Sequence, residues 1–81
     1  KGDYIMDTVK SWGLDEIVEV RGKGLMIGIE IKGSASEIEK VAAQKGLLIL
    51  TAGEHVIRLL PPLVISMDEI NKGLEILKEC L

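Results

Sequence analysis

The stretch Val56-Ile57-Arg58-Leu59-Leu60-Pro61-Pro62-Leu63 places one arginine inside an apolar run that two prolines end. Because proline cannot donate a ladder hydrogen bond, the run predicts a strand over 56–59. A strand this apolar is expected to be buried, and a buried guanidinium is costly unless an anion meets it. Arginine also offers a planar fork that matches a carboxylate through two bonds. Either a carboxylate of the protein pairs with Arg58 or the partner arrives as a ligand, and the residues alone leave both hypotheses open.

Three other segments have the apolar spacing of helices, and each is bounded by a start or stop signal. The first begins at a cap, Asp3, and stops at Gly13. The second and third begin at Ser34 and Ser66, each followed three residues later by a glutamate that completes a capping box. The apolar faces predicted for the three helices comprise Ile5, Val9, Trp12, Ile38, Val41, Ala42, Ile70, Leu74, Leu77 and Leu81.

Alternating or wholly apolar runs predict four strands, over 17–20, 25–31, 47–50 and 56–59. The glycines of the segment 21–24 predict a bulge or turn after the first strand, and Gly28 leaves room for a close approach in the second. The order is therefore α-β-β-α-β-β-α, within a single domain over 1–81. It predicts the α+β class: a small open sandwich in which helices cover one face of a mainly antiparallel sheet of three or four strands.

Composition excludes several classes of function. The net charge is −3 and the only aromatic residues are Tyr4 and Trp12, so nucleic-acid binding is not expected. No apolar run is long enough to span a membrane. A single cysteine, Cys80, excludes an internal disulfide and fits a reducing cytosol, and with a single histidine, His55, it offers no metal-ligand spacing. We expect His55 to be a solvated turn residue and Cys80 to be unreactive.

A second arginine, Arg21, lies where an anion could bind. It is close in sequence to Glu19 and, across the expected hairpin, to Glu30, so an internal ion pair is the favoured interpretation. The neighbouring Gly22-Lys23-Gly24 lacks the spacing of a phosphate-binding loop and does not open a helix.

Three segments in order, VRGKGLMIGIEI (20–31), GLLILTAGEHVIRLLPPLVI (46–65) and SMDEINKGLEIL (66–77), resemble the C-terminal part of class III aminotransferases. These are pyridoxal-phosphate enzymes of fold type I, and within the class the similarity is greatest to the acetylornithine aminotransferases. In that family the arginine at the position of Arg58 binds the α-carboxylate of the substrate. The resemblance thus implies that Arg58 is a substrate-binding residue and that the turn 51–53 lies near the substrate entrance.

The resemblance covers only one part of such an enzyme. It implies that the chain is the C-terminal small domain of a larger transaminase, for which transfer from N-acetylornithine to 2-oxoglutarate in arginine biosynthesis is the favoured reaction. Enzymes that act on ornithine, acetyl-lysine and 4-aminobutyrate share this region in outline, so the sequence leaves the amino donor open. The cofactor, pyridoxal 5'-phosphate, would be held by the large domain, so no catalytic, cofactor-binding or metal-binding residue is expected in the chain itself. The expected parent is a cytoplasmic homodimer acting on amino-acid and 2-oxo-acid substrates, without nucleic-acid or membrane partners. The fragment alone is expected to be monomeric and inactive.

Two other functions remain open at the level of sequence. One is a free-standing regulatory module that binds small molecules through an α+β sandwich. The other is a structural interaction domain. Lysines lie on expected polar faces, in loops or at the terminus, whereas a lysine that forms a Schiff base needs a desolvated pocket.

Overall fold

The computed structural model describes residues 2–23, 26–60 and 65–81, with the side chain of residue 23 left out. The predicted order of elements, α-β-β-α-β-β-α, is confirmed. The elements are α1 (Gly2–Ser11), β1 (Ile17–Lys23), β2 (Met26–Ile31), α2 (Ala35–Gln44), β3 (Leu50–Thr51), β4 (Val56–Leu59) and α3 (Met67–Cys80). Gly24, Leu25, Pro61 and Pro62, which entered the predictions of a turn, a strand start and a strand end, lie outside the described residues.

The four strands form one antiparallel sheet in the order β1-β2-β4-β3. This confirms the predicted α+β class with a mainly antiparallel sheet. Side chains alternate along the strands, and one face carries the buried residues Ile27, Ile29, Ile31 and Ile57, each at most 1% exposed. The three helices bury this face, with α1 against β1 and β2, and α2 against β3 and β4. The opposite face, called the open face below, has no helix against it among the described residues.

The helix signals behave largely as predicted. Ser66 and Glu69 form a complete capping box at the start of α3, and Ile70, Leu74 and Leu77 are buried. At α2 the Ser34 hydroxyl accepts from the backbone N–H of residue 37 at 3.4 Å, but the return bond from the Glu37 side chain, which would complete the predicted capping box, is absent among the described residues. The prediction for Asp3 was wrong in position, because α1 begins at residue 2 and Asp3 lies inside its first turn, where its charge favours the helix dipole.

Two strand predictions need correction. The strand β1 continues through residues 21–23, which were predicted to interrupt it, and the irregularity of its ladder lies earlier, between Ile17 and Glu19. The predicted strand over 47–50 is only the pair Leu50–Thr51. The reason is that the backbone N–H of Leu47 donates to the carbonyl of Ala42 at 2.8 Å, so the chain is still closing α2 there.

Candidate functional site

The open face carries a row of residues that the ladder places side by side. Arg21 of β1 pairs with Gly28 of β2, Gly28 pairs with Arg58 of β4, and Arg58 pairs with Leu50 of β3. Residues paired in register project from the same face of a sheet. The row therefore sets two arginines on either side of a glycine.

Arg58 is exposed, which corrects the expectation that its strand is buried on both sides. Its neighbour Ile57 is fully buried, so the apolar run serves one face of the sheet while Arg58 serves the other. Within the described part of the chain, the ion pairs involve Arg21, Lys45 and His55, and none involves Arg58. The residues outside that part contain no aspartate or glutamate. The hypothesis of an internal carboxylate partner for Arg58 thus loses its basis within this chain.

Arg21 is held as the sequence predicted. Its guanidinium lies 3.3 Å from a carboxylate oxygen of Glu30 and 3.5 Å from one of Glu19. Glu19 lies two residues before Arg21 on the same strand, β1, and Glu30 lies diagonally across on β2. Two carboxylates around one guanidinium leave Arg21 electrostatically satisfied, whereas Arg58 in the same row is not.

The turn before Arg58 fixes the position of β4. Gly53 has φ +82°, a conformation that suits glycine, and the Ala52 N–H donates to the Val56 carbonyl at 2.9 Å. His55 is exposed, as expected, and its Nδ1 donates to the Gly33 carbonyl at 2.7 Å. This turn is the one that the resemblance places near a substrate entrance, and it lies directly before the strand that carries Arg58.

The described residues do not fit the cofactor that the resemblance implies. The lysines whose side chains are described are all exposed: Lys10, Lys32, Lys40, Lys45, Lys72 and Lys78. Nζ of Lys45 donates a hydrogen bond to Oε2 of Glu79 at 2.9 Å, and this bond raises the pKa of Lys45, which is the opposite of the lowered pKa of a reactive lysine. Over 2–23, 26–60 and 65–81 there is no group of residues suited to hold a metal ion and no helix able to cross a membrane. Cys80 is half-buried at the end of α3.

Sequence reasoning missed an open apolar groove on another part of the surface. It lies between α3 and the segments at 47–48 and 59–60, and its walls include Leu48 and Leu60, which are 88% and 53% exposed. The signal for this groove in the sequence was the apolar run at 47–50. Most of the run precedes the two-residue strand β3, which cannot bury all of its leucines. The groove contains one ionisable residue, Glu69, which serves the capping box of α3.

Comparisons with known proteins agree on one family. Residues 1–81 match the family described as aminotransferase class-III. The chain is 49% identical over 65 residues to the acetylornithine aminotransferase of Streptococcus mutans, an alignment that covers 80% of this chain and 17% of that protein. The structure of N-acetylornithine aminotransferase from Stenotrophomonas maltophilia K279a superposes with a TM-score of 0.89 at 34% identity, covering 98% of this chain and 23% of that one. The ornithine aminotransferase of Plasmodium yoelii gives a TM-score of 0.90 at 27% identity, covering 98% of this chain and 22% of that one.

Proposed function

This chain belongs to the class-III aminotransferases, and we propose that it acts as the small C-terminal domain of such an enzyme, with Arg58 binding the carboxylate of the substrate. The chain spans about a fifth of the length of the relatives it matches. The rest of the reaction therefore belongs to parts of a parent enzyme beyond these 81 residues. Family membership favours this function over a free-standing regulatory module.

The observation that carries the proposal is the free guanidinium of Arg58. It is exposed on the open face of the sheet, and no described carboxylate lies within 4.0 Å of it. Arg21, on the same face, has two carboxylates of its own. An arginine that the fold positions on a strand and leaves unpaired is suited to a carboxylate supplied by a ligand.

The chemistry of a 2-oxo acid fits such an arginine. Its α-carboxylate is bonded to the carbon that accepts the amino group, so two parallel hydrogen bonds donated by Arg58 would fix both the position and the rotation of the reacting carbon. Orientation of this kind contributes to rate because it replaces a chance encounter with a held geometry. Arg58 thus acts by binding and orienting, and it transfers no proton.

The proposed substrates are N-acetylornithine as donor and 2-oxoglutarate as acceptor. In N-acetylornithine the α-amine is acylated, so the amine that can be transferred is the terminal one, several bonds from the carboxylate. A clamp built for a carboxylate next to the reacting carbon therefore favours the acceptor. We expect Arg58 to matter most in the step that consumes the 2-oxo acid.

Class-III aminotransferases depend on pyridoxal 5'-phosphate, which supplies the electron sink and carries the amino group between substrates. We place the cofactor and its lysine in the parent enzyme outside this chain, since the described lysines are exposed. The parent is proposed to be a cytoplasmic homodimer of arginine biosynthesis. The 81-residue chain alone is proposed to be monomeric and inactive. Mixing it with pyridoxal 5'-phosphate and borohydride tests this, because stoichiometric trapping at one lysine would contradict it.

The decisive experiment uses the parent enzyme with Arg58→Ala and Arg58→Lys. Loss of the two-pronged contact is expected to cost about 3 kcal/mol, so kcat/KM for 2-oxoglutarate falls roughly a hundredfold or more. Lysine keeps the charge but not the fork, and it is expected to restore only a part of the activity. Cofactor content, measured by absorbance, is expected to be unchanged.

Arg21→Ala is the matched control, because Arg21 lies in the same row of the same face. Its kcat/KM is expected to fall much less than that of Arg58→Ala, because Arg21 is already paired. An Arg58→Ala enzyme with unchanged kcat/KM for the oxo acid would end the carboxylate-clamp proposal. So would an equal loss from both arginines, since it would point to the summed charge of the face.

A further inference from the structure

Gly28 lies at the centre of the row, paired with Arg21 on one side and with Arg58 on the other. Adjacent strands are about 4.8 Å apart, so the Cα atoms of the two arginines are separated by roughly 10 Å. Gly28 contributes no side chain to the face between them. The open face therefore has a gap at the position that pairs with Arg58.

Neither the backbone nor the packing of this chain requires glycine at position 28. Gly28 is not among the glycines with positive φ, which are Gly13, Gly46 and Gly53. A Cβ built on Gly28 would meet only Cγ1 of Val56 at 3.9 Å and the Arg21 carbonyl oxygen at 4.0 Å, which is ordinary contact.

At two other glycines of the chain, by contrast, a Cβ would force a neighbouring side chain to shift. A Cβ on Gly22 would lie 2.5 Å from Sδ of Met6, and one on Gly33 would lie 2.7 Å from Oε2 of Glu16. At position 28 the space that a side chain would occupy is empty within the chain. Glycine inside a strand also weakens the fold relative to alanine. The residue thus has a cost in stability without a benefit in packing.

The side chains around the gap direct what can enter it. Leu50 pairs with Arg58 on the side away from Gly28 and is 52% exposed, so the neighbouring position on β3 is apolar. Glu30, the carboxylate diagonal to Arg58, is engaged by Arg21 at 3.3 Å. An anion that approaches Arg58 over Gly28 meets no side chain at position 28 itself, and the nearby carboxylate of Glu30 is already paired.

We propose that Gly28 is a specificity-determining residue of the acceptor site, because it keeps open the space through which a substrate carboxylate reaches Arg58. The inference rests on the proposed function of Arg58. It adds that the acceptor enters beside Arg58 from the β2 side, and that a side chain at position 28 would exclude it by volume.

The test is a graded series in the parent enzyme, Gly28→Ala and Gly28→Val, with Arg58→Ala measured beside it. An added methyl or methylene in a binding pocket changes discrimination by about 10–200-fold. We therefore expect KM for 2-oxoglutarate to rise about tenfold in Gly28→Ala and further in Gly28→Val, with cofactor content unchanged. In the 81-residue chain, the same Gly28→Ala change is expected to raise Tm by about 2–8 °C, because it removes a glycine from a strand.

Gly28→Ala is expected to weaken substrate binding in the parent enzyme but to raise the Tm of the 81-residue chain. These opposite effects distinguish a role of Gly28 in binding from a role in folding. A lower Tm of the chain, or a lower Tm of the parent with KM unchanged, would mean that Gly28 serves packing and would overturn the inference. If Arg58→Ala raises KM while neither Gly28 variant does, the inference fails and the proposed function stands. If Arg58→Ala itself leaves KM unchanged, both fail.

Discussion

The two faces of the sheet are built from the same strands and have opposite compositions. The face against the helices carries four isoleucines that are at most 1% exposed. The open face carries the paired Arg21, the unpaired Arg58 and a glycine between them. Ile57 and Arg58 are consecutive residues, yet one is fully buried and the other exposed. By alternation, the strands thus keep the buried core apart from the face that we propose binds the substrate carboxylate.

The largest expected effect tests the helix-covered face. Ile29→Ala removes a fully buried side chain from the middle of the sheet, and such truncations cost about 2–5 kcal/mol. A small domain can have as little as about 5 kcal/mol in total, so the variant is expected to be largely unfolded. Urea unfolding of the 81-residue chain, followed by far-UV circular dichroism, measures this.

Val56→Ala is the control for that experiment, since Val56 belongs to the open face. Its cost is expected to stay below about 1 kcal/mol, as for most surface positions. Equal losses of unfolding free energy in Ile29→Ala and Val56→Ala would mean that the helix-covered face does not contribute more to stability than the open face.

A smaller effect is expected from charge reversal on the open face. Glu30→Lys removes a partner of Arg21 and adds a third cation near Arg21 and Arg58. Exposed ion pairs are worth at most about 1 kcal/mol, and we expect a loss of that size. The loss should shrink in about 1 M NaCl, where the Debye length is about 3 Å. A loss that salt does not change would point to packing by Glu30 rather than to charge, and Glu30→Gln provides the neutral comparison.

The smallest effect on stability is expected at Arg58, the residue that we propose binds the substrate. Arg58→Ala in the 81-residue chain should change the free energy of unfolding by less than about 0.5 kcal/mol, because no described partner is lost. Unfolding of the chain by this change would show that Arg58 holds the fold together. The open face would then contribute to the stability of the fold, as the core does.

Local signals in the sequence predicted most of the fold. The capping box of Ser66 and Glu69 and the buried stripe of α3 depend only on residues a few positions apart, and both are confirmed. The strand predicted at 47–50 was wrong because hydrophobicity does not report where a preceding helix finishes its last hydrogen bonds. The Leu47 N–H is committed to Ala42, and that contact cannot be read from an apolar run.

The site was predictable in its residues but not in its arrangement. Arg21 and its two carboxylates are near one another across a hairpin, so their pairing followed from spacing. The exposure of Arg58 was missed because the run 56–60 contains no polar alternation to distinguish its two faces. The row through Gly28 depends on the register of β2 with β4, strands that α2 and β3 separate in sequence. Register between such distant strands is set by the assembled core.

The irregular start of β1 has a consequence for how copies of this chain meet at high concentration. β1 is an edge strand, and an edge with free backbone groups is a template for pairing with another molecule. The register shift between Ile17 and Glu19 makes that edge irregular. Pairing with a second copy of the chain would also bring the exposed charges of Glu19 and Arg21 against the β1 edge of that copy. The opposite edge, β3, is two residues long and offers little to pair with. Both edges of the sheet therefore resist the growth of intermolecular β-structure.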